Sequence, residues 1–352
     1  MLILGIETSC DETSAAVVEE TGETGRPWAM RSNVVASQVA IHREWGGVVP
    51  ELASRQHVRD ICGVVERALS DASAAWSDLG AIAVTQGPGL VGSLLVGVSF
   101  AKAAATAASL PIVGVHHLAG HIESLVLHNG EIPLPAIVLV VSGGHTSLYL
   151  VPTAGRYELI SRTRDDAAGE AYDKVAKLLG LGYPGGPVID RLAKGGDDRA
   201  IAWPSTRLTH ADRNAPELRG DLDFSFSGLK TAVRRYVTTR LEAVSSLPEP
   251  EVADICASFQ RVVVRVLVER TFEAALRHGA ASVGVAGGVS ANSRLRQEIK
   301  ARGEARELPT YVPSLQLSTD NAAMIAAAGL RRLRAGFTSG LDMNADASLP
   351  LT

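Results

Sequence analysis

Two stretches of this chain share one pattern: an apolar run, a turn of small and polar residues, then a second apolar run. The first is LILGIETSCDETSAAVVEE, residues 2 to 20, and the second is AIVLVVSGGHTSLYLV, residues 136 to 151. Short apolar runs bounded by Gly, Ser, Thr and Asp read as strands joined across a turn. The first pair continues into AMRSNVVASQ as a third strand, a helix from Pro50 to about Ser70, and the strand AIAVTQGPG with its Gly-Pro turn. The helix SLLVGVSFAKAAATAASL, with small residues on one side, and the short strand PIVGVHH then lead into the helix that carries His121. The second pair continues into YELISRT, a helical stretch from Gly169, the long helix EVADICASFQRVVVRVLVERTFEAALRHG, the strand SVGVAGG and a helix beginning near Ala291. A last helix spans about Thr319 to Arg334 and opens on TDN, an N-cap signal. Residues 195 to 222 and 243 to 250 read as loops. A pattern that recurs with weak identity predicts two related α/β halves.

A chain of 352 residues has room for two domains, and 46% hydrophobic against 20% charged residues excludes a disordered chain. The most apolar long run, Ser93 to Val115, is interrupted by Lys102 and rich in Ala and Gly; it predicts a buried helix and strand, not a membrane span. The N-terminus has no basic stretch before its apolar run, so no signal peptide is expected. The three cysteines, Cys10, Cys62 and Cys256, lie far apart without a CxxC pair, which argues against a disulfide framework and for a reducing, cytoplasmic setting. A net charge of −4 excludes a globally basic nucleic-acid binder but leaves local patches. Candidates are Arg234, Arg235 and Arg240; Arg294, Arg296, Lys300, Arg302 and Arg306; and Arg331, Arg332 and Arg334. Solvated helix faces explain most such runs.

HHLAGH, residues 116 to 121, sets His117 and His121 four apart, on one helix face. That is the spacing by which HExxH peptidases hold zinc. Here Leu118 occupies the place of the glutamate that acts as general base, which argues against peptide hydrolysis. Asp320, in STDNAA, is the preferred third ligand, with an N-cap role as the alternative. Two histidines and a carboxylate leave positions open for substrate. The turn after the first strand gathers Glu7, Ser9, Asp11, Glu12 and Thr13, which can hold a cation, orient water or accept a proton, or can be a plain solvated hairpin. VVSGGHTS, with Ser142, Gly143 and Gly144, lets backbone N–H groups approach an anion; GVAGGVSAN, ending in Asn292, opens a helix after a strand. Asp173 and Asp190 flank the turn GYPGGP and could reach a sugar hydroxyl or serve as caps.

In order along the chain, GIETSCDET, GGVVPELASRQH, QGPGLVGSLLVG, VHHLAGH, VVSGGHT, GEAYDKVAKLLGLGYPGG, FSFSGLKTAV, GGVSAN and STDNAAMIA together resemble the bacterial tRNA N6-adenosine threonylcarbamoyltransferases, the TsaD family, over most of the length. The resemblance implies an actin-like, sugar-kinase and heat-shock ATPase fold: two RNase H-like domains with a ligand cleft between them. The expected division is 1–135, completed by 317–352, and 136–316. It implies transfer of threonylcarbamoyl from threonylcarbamoyl-AMP to N6 of the adenosine beside the anticodon in tRNAs that read codons starting with A. By matching position, His117, His121 and Asp320 would hold one divalent ion, Fe2+ or Zn2+. Val140, Val141, Ser142, Gly143, Gly144, Asp173, Gly186, Asp190 and Asn292 would bind the nucleotide substrate. Asp11, with Glu12 nearby, is expected to position N6 and take its proton. Implied partners are tRNA, a shorter TsaB-type paralogue that could dock on the helix at 93 to 110, and a small TsaE-type ATPase. Ser318 departs from the family, where many relatives carry Cys, and His116 leaves the histidine register open. A peptidase and a sugar-kinase-like ATPase are the rival activities.

Overall fold

The apolar runs pair as two separate five-stranded sheets in a computed structural model that describes residues 1–208, 212, 215 and 218–351. The loop expected over 195 to 222 lies partly outside these residues. In chain order the strands are β1 Leu2–Glu7, β2 Glu12–Glu20, β3 Trp28–Ser37, β4 Leu79–Gly87, β5 Ile112–His116, β6 Ala136–Val141, β7 Thr146–Val151, β8 Glu158–Arg162, β9 Ser282–Ala286 and β10 Thr310–Tyr311. The helices are α1 Val39–His42, α2 Pro50–Asp71, α3 Val91–Ala108, α4 His117–Asn129, α5 Ala168–Leu178, α6 Gly185–Ala193, α7 Ser227–Ala243, α8 Glu249–Arg277, α9 Ser293–Ala305, α10 Leu315–Ser318 and α11 Ala322–Arg334. The chain divides into Met1–Ile132 with Pro313–Thr352, and Pro133–Val312.

In the first unit the sheet order is β3-β2-β1-β4-β5, with β1, β4 and β5 mutually parallel along the row. Side chains alternate faces along a strand, so each central strand feeds two layers. Ile3, Ala16, Val18, Ala81, Ala83, Val113 and Val115 pack with α11, while Leu4, Ile6, Ala15, Val17, Ile82 and Val84 pack with α2 and α3. This explains why the β1 run reads as continuously apolar: both of its faces are buried. After α11 the chain returns along β5 through the Ile112–Ser339 bridge, and Asp346 N donates to Gln86 O at 2.9 Å.

The second unit repeats the arrangement, in the order β10-β9-β6-β7-β8, with β6 and β9 parallel. Helix α8 runs 29 residues and buries Ile255, Phe259, Val263, Leu267 and Phe272. Two expectations change. The PGG stretch read as a turn is already helical from Gly185, because Asp173 accepts the Gly185 N–H at 2.7 Å and so caps that start. Helix α3, expected to be buried, covers the sheet with one face only; Val91 and Leu95 on the other are exposed.

Small residues set the distance between α11 and the first sheet. A Cβ at Gly5 would lie 2.3 Å from Ala322 O and 2.8 Å from Ala326 N, both backbone atoms that cannot rotate away. Gly5→Ala is therefore expected to destabilise the protein by about 3 kcal/mol, at the upper end of overpacking costs. Urea denaturation measures it; a loss below about 1 kcal/mol would mean that α11 slides without penalty.

Candidate metal centre and nucleotide turns

The first unit gathers its polar turns at the carboxyl ends of the parallel strands β1, β4 and β5. His116 closes β5 and caps α4: its Nδ1 accepts from Leu118 N at 3.1 Å and its Nε2 donates to Leu349 O at 2.9 Å. Both nitrogens of His116 are thereby engaged within the protein. His117 and His121, one turn apart and buried, bring their rings to 4.7 Å between centroids. Asp320 Oδ1 stands 3.5 Å from His117 Nε2 and 3.2 Å from His121 Nε2.

The three residues offer ligand atoms that all lie within 4.8 Å of one another. Metal bonds of ~2.1 Å hold neighbouring ligand atoms about 3.0 to 3.4 Å apart, close to the distances seen here. Asp320 approaches His121 out of hydrogen-bonding alignment, and both ring nitrogens of this wholly buried imidazole have no hydrogen-bond partner among the described residues. A buried polar group is ordinarily satisfied, so the orphaned imidazole fits a cation acceptor. Asp320 is not the cap of α11; Asn321 is, its Oδ1 accepting from Met324 N at 3.1 Å. Ser318 is buried, and its hydroxyl donates to Ser314 O at 2.9 Å. The Cys-to-Ser departure is thus accommodated within one helical turn.

Glu7, unexposed at the end of β1, orients His117. Its Oε2 lies 3.0 Å from His117 Nδ1 and accepts from Thr85 Oγ1 at 2.7 Å, while its Oε1 accepts from Ser9 N. A carboxylate on Nδ1 leaves Nε2 for an ion and raises the ring's basicity. Burial alone would depress the His117 imidazolium, yet the charges of Asp320 and Glu7 outweigh it and push it up to about 9. Burial and the His117 charge keep His121 low against the pull of Asp320. Burial would raise Glu7, but His117 holds it below the ordinary carboxylate value. In the adjoining turn, burial followed by the charges of Asp11 and Asp320 pushes Glu12 well above its usual range. Sequence reading grouped Glu7 with this acidic turn but missed its bond to His117; the available signal was a lone carboxylate ending an otherwise apolar central strand.

In the second unit the predicted binding residues converge at the carboxyl ends of β6 and β9. Val140 and Val141 end β6, and Ser142 N donates to His145 O at 2.8 Å to close the SGGH turn. Gly143 and Gly144 face open space. A Cβ at Gly169 would strike Ser142 O at 2.5 Å, and one at Gly287 would strike Val141 O at 2.5 Å; α5 and the GGVSAN turn therefore pack directly on the glycine turn. Gly186 lies in the first turn of α6, beside the Gly185 N–H held by Asp173. Asp190 Oδ1 accepts from Ser293 Oγ at 2.8 Å, and Asn292 caps α9 through Leu295 N at 3.0 Å while donating to Gln260. Glycine turns at adjacent parallel strand ends, with a helix N-terminus among them, suit a nucleotide.

If the trio is a metal centre, His121→Ala should abolish tight Zn2+ binding. Glu7→Gln should weaken it by ~10- to 100-fold through loss of the outer partner. Competition against a chromophoric chelator measures both, and unchanged affinity in His121→Ala would place the ion elsewhere.

The chain is similar to known proteins over nearly its whole length. The family model for TsaD, tRNA N6-adenosine threonylcarbamoyltransferase, matches residues 29–327. The protein of that name from Koribacter versatilis (strain Ellin345) is 49% identical over 382 residues, covering 99% of each chain. That from Anaeromyxobacter dehalogenans (strain 2CP-C) is 52% identical over 346 residues, covering 98% of each. Among solved structures, full-length HypF in the phosphate- and nucleotide-bound form aligns with a TM-score of 0.59 at 12% identity, over 95% of this chain and 46% of that one. Component A of the Acidaminococcus fermentans (R)-2-hydroxyglutaryl-CoA dehydratase aligns with a TM-score of 0.50 at 14% identity, over 95% and 99%. These two likenesses show the fold alone, the actin-like ATPase type built from two RNase H-like domains. The chain belongs to the TsaD family of tRNA N6-adenosine threonylcarbamoyltransferases.

Proposed function

We propose that the protein transfers threonylcarbamoyl from threonylcarbamoyl-AMP to N6 of the adenosine 3′ of the anticodon in tRNAs that read codons beginning with A. The observation that carries this is the convergence of His117, His121 and Asp320, backed by Glu7, in a chain of this family. In the reaction N6 forms a bond to the carbamoyl carbon, the bond from that carbon to the phosphate oxygen breaks, and AMP leaves with the electron pair. A divalent ion, Fe2+ or Zn2+, held by His117, His121 and Asp320 would supply Lewis acidity to a poorly electrophilic carbonyl.

The chain's own groups do the rest. Backbone N–H groups of Gly143 and Gly144, with the Ser142 hydroxyl beside them at the end of Val140–Val141, hold the phosphate that becomes AMP. Asp173, Gly186, Asp190 and Asn292 shape the nucleoside site, the two aspartates being placed for the ribose. Asp11, with Glu12 nearby, positions N6 and accepts the proton it loses. Leu118, buried where a peptidase would present its base, gives no support to peptide hydrolysis.

For tRNA, several of the basic residues singled out in the sequence are already in ion pairs: Arg240 with Glu251, Arg294 with Asp198 and Glu298, Arg331 with Glu123 and Glu131, Arg334 with Glu20. Arg234 and Arg235 on α7 are exposed and, like Arg306 and Arg332, make no ion pair among the described residues; as neighbouring cations on one helix they suit phosphates. The outward face of α3, with Val91 and Leu95 exposed, is the docking face for a TsaB-type paralogue, with a small TsaE-type ATPase completing the assembly. Three free cysteines fit the cytoplasm.

Asp11→Ala should slow single-turnover transfer at saturating donor by ~10²- to 10⁴-fold, the usual worth of a general base. Replacing Arg234 and Arg235 together by Glu should weaken tRNA binding and flatten the plot of log affinity against log salt by about two. Nucleoside mass spectrometry of tRNA from depleted cells decides the function itself: the threonylcarbamoyl adenosine should disappear, and its persistence would refute the assignment.

A further inference from the structure

Behind the acidic turn lies a run of buried polar side chains that the reaction as described does not use. His57 on α2, Gln38 and His42 around α1, and Thr13 on β2 are each 0 or 1% exposed. His57 Nε2 lies 2.9 Å from Cys10 O, and its Nδ1 lies 2.8 Å from Thr13 Oγ1 and 3.3 Å from Gln38 Nε2. Gln38 Oε1 lies 3.2 Å from His42 Nε2, and His42 Nδ1 accepts from Val49 N at 3.2 Å.

The two ends of this run fix every proton in it. The Val49 amide can only donate, so His42 Nδ1 is bare and its Nε2 carries the hydrogen. Gln38 Oε1 accepts that hydrogen, which turns its NH2 toward His57 Nδ1. The Cys10 carbonyl can only accept, so His57 carries its hydrogen on Nε2. Each assignment agrees with the next, and both imidazoles are neutral. Burial lowers His57 against the pull of Cys10 O and the nearby carboxylates, which is consistent with a neutral ring.

The turn that the run holds is the one with Asp11 and Glu12. Three successive carbonyls of that turn are bound from three different segments: Ser9 O by Leu90 N at 2.8 Å, Cys10 O by His57 Nε2 at 2.9 Å, and Asp11 O by Gln38 N at 3.0 Å. Only the middle tie is made by a side chain, and the same ring also holds Thr13 beyond the carboxylates. An apolar residue at 57 would leave a buried carbonyl and a buried hydroxyl unsatisfied on either side of Asp11 and Glu12.

We propose that His57 is a positioning residue for the transfer reaction, a neutral imidazole holding the Cys10 carbonyl on one side of Asp11 and Glu12 and the Thr13 hydroxyl on the other. This rests on the reading of Asp11 as proton acceptor given above. Misplacing a reacting group by about an ångström costs on the order of 100-fold in rate, without any need to disturb substrate binding.

Two measurements test it. Nitrogen-15 NMR of the imidazoles in the full-length protein should show His57 and His42 as neutral rings protonated at Nε2; a His57 protonated at Nδ1 would overturn the clamp whatever the kinetics. His57→Leu should slow single-turnover transfer by on the order of 10- to 100-fold. KM for threonylcarbamoyl-AMP and bound metal by elemental analysis should stay near wild type. His57→Gln, whose amide can donate to Cys10 O and accept from Thr13, should recover most of the rate and serves also where the Leu variant does not fold. Wild-type rates in His57→Leu, or no recovery in a folded His57→Gln, would refute the role. A wild-type protein that transfers nothing would instead remove the function on which the role rests, an outcome distinct from a defect confined to the variants.

Discussion

A carboxylate with no exposure, at the end of a strand buried on both faces, must be paired or lose its charge. Glu7 is that group, and the three donors that satisfy it come from three places: Ser9 in the turn after β1, Thr85 in β4, and His117 at the start of α4. One side chain therefore ties together the ends of neighbouring parallel strands and the helix bearing the histidines. The burial that makes Glu7 expensive to leave unpaired also makes its grip on His117 strong, because the same low-dielectric surroundings act on both. The position of the imidazole follows from folding the sheet, before any ion or substrate is considered.

The two units use one frame for opposite electrostatic tasks. In each, an antiparallel hairpin leads a sheet whose parallel partner strand ends beside it, β1 with β4 in the first and β6 with β9 in the second. In the first unit the turn after the leading strand carries Glu7, Asp11 and Glu12, which suits cations and proton transfer. In the second it carries Ser142, Gly143 and Gly144, which has no negative charge and offers N–H groups suited to an anion. A duplicated fold thus presents two turns with opposite preferences.

The strands and long helices were legible because burial on one or two faces forces a period on the sequence, as in AIVLVV and in α8. The pairing of His117 with His121 was legible for the same reason, since four residues of helix fix their separation. Asp320 was legible only as a suspicion: nothing local says that a residue 199 positions beyond His121 returns to it. The role of His116 was hidden, because it depends on the main-chain turn from β5 into α4 and on Leu349, more than two hundred residues away. Asp173, Asp190 and Asn292 carry the opposite lesson. Each was read as a cap or as a binding residue, and each holds a helix start, a role that does not exclude binding. His57 and Gln38 went unnoticed, since a histidine on an amphipathic helix shows its partners only after the sheet has formed.

Small residues explain how Asp320 reaches its partners. Helix α11, AAMIAAAGLRRLR, lies close on the first sheet because Gly5 admits its backbone and Gly329 sits against Ala83. It also lies close on α4: a Cβ at Gly120, between the two histidines, would stand 2.9 Å from Ile325 Cδ1 and 3.1 Å from Met324 Cγ. Larger residues at these places would move α11 outward, and Asp320, two positions before the helix begins, would move with it. Bond lengths to a metal tolerate only about 0.2 Å. Alanine and glycine in α11 and in HLAGH therefore matter to the candidate metal centre as much as His117, His121 and Asp320 do, because they set the spacing of the three.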